Sequence, residues 1–376
     1  MKRLWAIGML GVMTALWAND AERLQAAEEA YRQGDFGEAF RVLQALAEEG
    51  NGVAMHSFAE LYDDGLGVAQ DYAQALVWYA KAREALQEAA QAGDAKAQAA
   101  LGVMWYYGQA VPLDRAQAQL WFKRAAPGLI NLALDGDVSA QAFVGEMFAK
   151  GLGVRRDERL AALWRAMAAR KGDPMSQLAL GGMYEEGKGT HVNRQRAHEW
   201  YQRVGLWLRQ AAEQGSGEAY FVMGSLYARG LGMMEDAAYS EEWFAKARQA
   251  LDYAEQGDPD SQFFLGNMYA LGLGGDKDAA RGWQWMSKAA ENGQVRAMRE
   301  LGVMYMQGLG TLADDAQSVH WLHRAADLGD DEAQALLGLF YQHGRGVPKD
   351  AALSRFWYEQ AAAQGNKNAI QVLKAK

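Results

Sequence analysis

The sequence predicts an all-α fold built from stacked helix–turn–helix repeats. Three observations predict it. A glycine turn recurs eight times, with first glycines at Gly65, Gly108, Gly151, Gly187, Gly230, Gly272, Gly308 and Gly344, spaced by 43, 43, 36, 43, 42, 36 and 36 residues. The thirteenth residue after each is a tryptophan: Trp78, Trp121, Trp164, Trp200, Trp243, Trp285, Trp321 and Trp357. Half of the 376 residues are hydrophobic and only five are proline, which suits a continuous helical core. Repetition at this period marks units that pack on their neighbours, so the length need not mean several globular domains.

Residues 1–18, MKRLWAIGMLGVMTALWA, read as a signal peptide. Lys2 and Arg3 form its charged start, Leu4–Trp17 is an apolar run short for a membrane span, and Ala18 is the cleavage point. Leu16 is larger than the small residue preferred there, so an uncleaved membrane anchor is the alternative. The net charge is −9, and it becomes −11 without this segment, which carries two basic and no acidic residues. An acidic chain without a basic stripe argues against nucleic acid as a partner. The sequence has no cysteine, so disulfides, a thiol nucleophile, thiolate metal sites and an N-terminal lipid anchor on cysteine are excluded. The expected product is soluble and periplasmic or secreted.

Residues 19–50 show apolar helical spacing on both sides of Gly34-Asp35 and predict a capping helix pair. Tyr31, Gly34, Phe36, Ala39 and Phe40 resemble the tetratricopeptide pattern. Residues 51–366 hold the eight repeats, each with helix A before the glycine turn and helix B after it. In helix A a small residue stands eleven before the first turn glycine, from Ala54 to Ala333, and an aromatic three before it, from Tyr62 to Tyr341. A glycine stands six before it in every copy except at Ala59. Glycine inside a helix costs about 1 kcal/mol against alanine, so close approach by a neighbouring helix is expected there. Six residues past the first turn glycine comes a helix N-cap, Asp in seven copies and Asn193 in the other. The first, second and fourth copies lengthen helix B by seven residues and the fifth by six. Seven residues are nearly two turns, so the facing side is preserved. Pro127-Gly128 and Gly205 predict a bend or break in two of these inserts. Residues 367–376 form a short C-terminal capping helix.

These residues resemble the Sel-one-like repeat family, a relative of the tetratricopeptide repeats. Its pattern is roughly A-x-A-x-x-x-L-G-x-x-Y-x-x-G-x-G-V, an Asp, then A-x-x-W-Y-x-x-A-A. Residues 332–362, EAQALLGLFYQHGRGVPKDAALSRFWYEQAA, follow it nearly throughout. Ala110 departs from it at the second turn glycine, and Gly275 and Thr311 depart from it at the valine. The resemblance implies a right-handed superhelical α-solenoid. It also implies an adaptor or scaffold for protein partners, including in bacterial envelope assembly, without catalytic residues or cofactors.

Candidate sites other than a protein-binding surface are weak. Gly187-Lys188-Gly189-Thr190 lacks the four-residue spacer and preceding strand of a phosphate loop. His320 and His323 lack surrounding carboxylate–histidine ligands for a metal. His198-Glu199 lacks the second histidine of a zinc protease. Some cysteine-rich relatives are associated with β-lactams, but no S-x-x-K or G-x-S-x-G motif is present. The tryptophans in fixed register are expected to be inter-repeat core rather than carbohydrate platforms.

The informative positions are those on helix A that do not repeat, namely nine, five and two residues before the turn glycine, which share one helical face. By analogy with tetratricopeptide arrays, this face lines the concave surface. The candidate partner-binding residues on it are Val103, Tyr106, Leu178, Phe221, Phe263, Asn267, Arg299, Val303, Met306 and Leu339. Phe221 and Phe263 have core packing as their alternative. The inserts around Arg83–Ala89 and Val204–Arg209 are the fallback site. The expected function is a non-enzymatic exported scaffold for a protein or peptide. Regulation of an envelope enzyme and binding or hydrolysis of a cell-wall or β-lactam ligand are the alternatives.

Overall fold

The computed structural model describes residues 20–374 except 251–254 and 256. The expected signal peptide therefore lies outside the described residues. Helix α1 covers residues 20–33, and α2 is Phe36–Glu48. Helix A of the successive repeats is α3 (Gly52–Asp64), α5 (Ala95–Tyr107), α7 (Val138–Lys150), α9 (Pro174–Glu186), α11 (Gly217–Ala228), α13 (Pro259–Leu271), α15 (Val295–Gln307) and α17 (Asp331–His343). Helix B is α4 (Tyr72–Gln91), α6 (Arg115–Leu134), α8 (Glu158–Arg170), α10 (Arg194–Glu213), α12 (Ala237–Ala250), α14 (Ala279–Glu291), α16 (Asp315–Asp327) and α18 (Ala351–Ala363). Helix α19 is Lys367–Lys374. No strand occurs among the described residues. The chain forms two compact units, one of Met1–Ala219 with Leu226–Asp236 and one of Tyr220–Ser225 with Ala237–Lys376.

Every turn is built the same way. The first glycine adopts φ between 60° and 77° in all eight copies, a left-handed conformation that ends helix A. The N–H at the helix-B cap position, from Asp71 to Asp350, donates to the carbonyl of the aromatic three before the turn glycine at 2.8–3.1 Å. That bond closes the loop. The cap side chain then accepts from the first turn of helix B, as Asp71 does from Gln74 N–H at 2.9 Å and Asn193 from Arg196 N–H at 3.0 Å. Helix A has caps of its own that the motif reading missed, among them Asn51, Asp94, Asp137, Asp173, Ser216, Asp258 and Asp330.

Within a repeat, the glycine six before the turn faces the residue fourteen after the turn glycine. A Cβ on Gly102, Gly181, Gly224 or Gly338 would enter the ring of Phe122, Tyr201, Phe244 or Tyr358. At Gly145 and Gly266 it would also crowd the helix-B backbone. The expected close approach is therefore present, and in four copies an aromatic ring fills the space. Ser240 and Ser354 donate to the carbonyls of Gly224 and Gly338 at 2.8 Å.

Between repeats, the second turn glycine presses on the backbone of the preceding helix B. Gly67 meets Phe36, Gly153 meets Phe122, Gly189 meets Glu158, Gly232 meets Tyr201, Gly310 meets Ala279 and Gly346 meets Asp315. Each contact lies at a constant distance from the C-terminal end of that helix, not from its start. The 20-residue α4, α6 and α10 differ from the 13-residue α8, α14, α16 and α18 in the length of helix before this contact. The uncovered early turns then supply a clamp. Gln119, His198 and Glu241 accept from the N–H of Gly153, Gly232 and Gly274 at 2.7, 3.1 and 2.9 Å. The fifth insert runs into residues that are not described. The expected break in the inserts does not occur, because α6 continues across Pro127-Gly128 and α10 across Gly205. Gly128 instead admits the methyl group of Ala95, so it serves packing.

Five of the tryptophans, Trp121, Trp164, Trp243, Trp321 and Trp357, are buried, whereas Trp78, Trp200 and Trp285 are half-buried. Trp121 joins the core of α4 and α5, and Trp164 joins that of α6 and α7, so both pack between repeats. Six carry a cation over the ring from three residues on: Lys81, Arg124, Arg203, Lys246, Lys288 and Arg324, at 3.9–5.2 Å from the centroid.

Three outcomes follow. Ala110 holds φ 52° where its counterparts are glycine. Ala110→Gly should stabilise by about 0.5–1 kcal/mol, the relief of left-handed strain less the entropy of a freer chain, read from the denaturant midpoint. Trp243→Ala should cost about 3–5 kcal/mol, with hydrogen exchange accelerated around residues 215–290 and unchanged at α3–α5. Burial, then the neighbouring carboxylate of Asp260, pushes the Asp258 cap from 3.8 up to about 6. A raised folded pKa means that stability is lost as the pH rises from about 4 to about 6. Asp258→Asn keeps the cap acceptor and should abolish that loss in exchange at α13.

Candidate binding surface

Within each unit, charged residues of the helix-A stripe link neighbouring repeats. Glu185 pairs with Arg229 of the following repeat, and Arg299 pairs with Asp330 and Glu332 at 3.2 and 2.9 Å. The ten predicted residues divide in three. Leu339 is 41% exposed, which makes it the most open apolar side chain of the set. Val103, Leu178, Phe221, Val303 and Met306 are half-buried along the same face, but Val103, Phe221 and Met306 pack against the core, Phe221 with its ring 5.6 and 5.0 Å from those of Phe244 and Phe264. The remaining four are engaged within the protein. Phe263 is buried at 4%, beneath the guanidinium of Arg296 and against Phe264, and is a core residue rather than a surface one. The Asn267 side chain donates to the Phe263 carbonyl at 3.1 Å. Arg299 is held by its carboxylates. Tyr106 stacks under Arg115, with the guanidinium 3.1 Å from the ring centroid, and lies edge-on to Tyr107 and Phe122.

The position two before the turn glycine has a structural rule that the motif reading missed. Where the residue fourteen after that glycine is Tyr, its hydroxyl donates back to an acceptor at this position. Tyr79 reaches Asp63 at 3.2 Å, Tyr201 reaches Glu185 at 3.0 Å and Tyr358 reaches Gln342 at 3.3 Å. Where it is Phe122 or Leu322, the position holds Tyr106 or Met306. The signal is a covariation inside the repeat, visible in the sequence once the two positions are compared. An Asp at 106 or 306 would therefore lack the partner that Asp63 has.

Arg115 is electrostatically unusual. Its Nε and one terminal nitrogen are buried without a hydrogen-bond partner, and burial pushes its pKa down to about 9. Close by, burial works against Lys150, yet Tyr107 and Glu146 keep its pKa raised.

A second row lies on helix B, twelve residues past the turn glycine. Val77, Leu120 and Leu163 of three consecutive repeats are 48%, 55% and 55% exposed. Of the fallback inserts, Leu86 is buried in the core and Trp207 is 8% exposed, so both contribute packing.

The other candidate motifs have structural roles. The Gly187–Thr190 turn follows a helix, has the conformation of its counterparts and borders a 710 Å³ depression lined also by Asp157, Glu158, Arg159 and His191, a mixed set rather than a phosphate cradle. His323 is 3.1 Å from the Tyr341 hydroxyl and edge-on to Trp357, while His320 lies edge-on to Trp321. His198 is the clamp on Gly232 described above. Among the described residues no three His, Cys, Asp or Glu side chains gather as a metal site.

The N-terminal helices reach beyond the first repeat. Glu28 accepts from Lys96 of α5 at 3.1 Å, and Lys96 also pairs with Asp137, the cap of α7, at 2.9 Å. The Trp207 indole of α10 donates to the Tyr31 carbonyl at 2.8 Å, with the rings of Tyr31 and Phe36 at 5.5 and 5.4 Å from it.

The Sel1 repeat family model matches residues 52–85, 95–126, 138–173, 174–203, 206–216, 217–250, 259–294, 295–330 and 331–366. The segment 206–216, additional to the eight glycine turns, lies in the second half of α10. The solved structure of a protective antigen of uropathogenic Escherichia coli displaying an SLR fold is 26% identical, with 97% of this chain and 90% of that one covered and a TM-score of 0.37. A Sel1 repeat protein from Oxalobacter formigenes is 28% identical, with 89% of each chain covered and a TM-score of 0.38. An ERAD-associated E3 ubiquitin-protein ligase component of Arabidopsis thaliana is 45% identical over 51 residues, which are 13% of this chain and 8% of that protein. Nine matched segments between residues 52 and 366, eight of them spanning the helix pairs and their glycine turns, show that the chain belongs to the Sel1 repeat family.

Proposed function

We propose that the chain is a non-enzymatic adaptor that holds a protein or peptide on its helix-A face and acts in the envelope or outside the cell. Sel1 repeat proteins generally mediate protein–protein interaction and are generally non-catalytic. One observation carries the choice of face. The repeated positions are spent on packing, whereas Val303 and Leu339 occupy the same position in adjacent repeats, vary in type along the array and keep apolar surface in solvent. Apolar side chains that packing does not require are what a recognition surface needs. Residues 1–18 support export. Regulation of an envelope enzyme would use the same face and differ only in its effect on the partner. The helix-B row of Val77, Leu120 and Leu163 supports a second reading, in which the opposite side of helix B docks.

The test is capture from an envelope extract, followed by affinity for the protein recovered. Leu339→Glu combined with Val303→Glu should lower that affinity at least tenfold, or about 1.4 kcal/mol, with melting little changed because the sites are exposed or half-buried. Normal melting with unchanged affinity rejects the helix-A face. Loss of affinity with Leu120→Glu and Leu163→Glu alone assigns the helix-B row.

A further inference from the structure

Helix α1 is bound more like a ligand than like a terminal cap. A cap in a repeat array contacts its neighbour. Arg23 of α1 does pair with Glu49 at the end of α2 at 2.6 Å, as a cap would, but Glu28 and Tyr31 reach partners 68 and 176 residues away, at Lys96 and Trp207. Tyr31 is half-buried where α1 meets α10, with its ring against Trp207. Burial and then Asp64, Glu60, Asp173 and Glu218 push its pKa well above the usual tyrosine value. The turn after α1 is closed against α10, where a Cβ on Gly34 would strike the Gln210 side chain. The contact is nonetheless thin. Between residues 20 and 33 only Ala27 and Ala30 are fully buried, and the residues around them are half or wholly exposed. Part-exposed ion pairs such as Glu28–Lys96 hold little energy each. An isolated helix of this length is marginal in water, so α1 depends on the surface beneath it.

We propose that the face formed by the starts of α5 and α7 and the middle of α10 is a binding groove for an amphipathic helix, and that α1 is its resident occupant. The recognised pattern is acid-x-x-aromatic, as in Glu28 and Tyr31. The acid meets the cation of Lys96, which is itself fixed by Asp137. The aromatic residue lies one turn on, beside the Trp207 indole, whose N–H takes a backbone carbonyl of the bound helix. A partner helix carrying the same two residues enters by displacing α1. This deepens the adaptor reading by naming a second surface and the chemistry of its occupant. Its test uses no cellular partner, so it can fail while that reading stands.

The probe is a fluorescent peptide with the sequence of residues 20–34, added to the full chain. Tyr31→Ala with Glu28→Lys in the chain releases the resident helix. The peptide should bind this variant at least tenfold more tightly than the unaltered chain. A peptide with Glu28→Lys should lose at least tenfold on the released chain and recover when that chain also carries Lys96→Glu. If the double variant does not fold, Tyr31→Ala alone, which leaves Lys96 and Trp207 of the groove unaltered, gives the same comparison. Hydrogen exchange of residues 20–33 in the unaltered chain should be faster than that of α5. No binding to any released chain, equal binding to released and unaltered chains, absence of charge rescue, or exchange in α1 as slow as in α5 overturns the proposal.

Discussion

The contact between the second turn glycine and the backbone of the preceding helix B sets how each repeat meets the next. No side chain fits between Gly189 and the Glu158 carbonyl, or between Gly310 and that of Ala279. Two backbones in contact leave one register, and the other repeated positions are consistent with it. The small residue eleven before the turn, the glycine six before it and the tryptophan thirteen after it bring their surfaces together once that contact is made. Buried glutamines then tie three of the helices A to the previous helix B. Gln98, Gln141 and Gln334 donate to the carbonyls of Ala90, Ala133 and Ala326 at 2.9–3.1 Å. A buried amide with a partner adds direction to a contact that apolar burial alone leaves unspecific.

The inserts show how the array varies without breaking. Seven residues return the helix to almost the same face, so the next repeat docks as before and two further turns are left uncovered. Three of the four copies that carry the insert also carry Gln119, His198 or Glu241 at the position that is then uncovered, and each takes the glycine N–H, whereas the first copy has Leu76 there. In the 13-residue helices Ala162, Trp283, Val319 and Arg355 stand there, none of them a side-chain acceptor.

Much of this was legible in the residues. The turn glycines, the helix-B caps and the helix pairs repeat in register, and repetition averages away the ambiguity of any one copy. The binding face was legible only in part, for a physical reason. A position that varies between repeats is either free of packing or packed against a partner that varies with it. Periodicity separates repeated from unrepeated positions but not those two cases. Glu185 and Gln342 belong to the second, because their tyrosines change in step. Phe263 belongs to it too, since Phe264 and Arg296 close around it. Leu339 belongs to the first. The reach of α1 was not legible at all, because a contact between Tyr31 and Trp207 leaves no trace in a pattern of local spacings.

That contact also orders events in time. Repeats whose contacts are local can fold as they leave the ribosome or a translocation pore, one pair after another. Helix α1 precedes the other described helices and meets α2 early, yet its seat is incomplete until Trp207 has emerged and α10 has formed. Throughout that interval the Tyr31 side of α1 stays open to whatever receives the chain, and it closes only when a further 176 residues have been delivered.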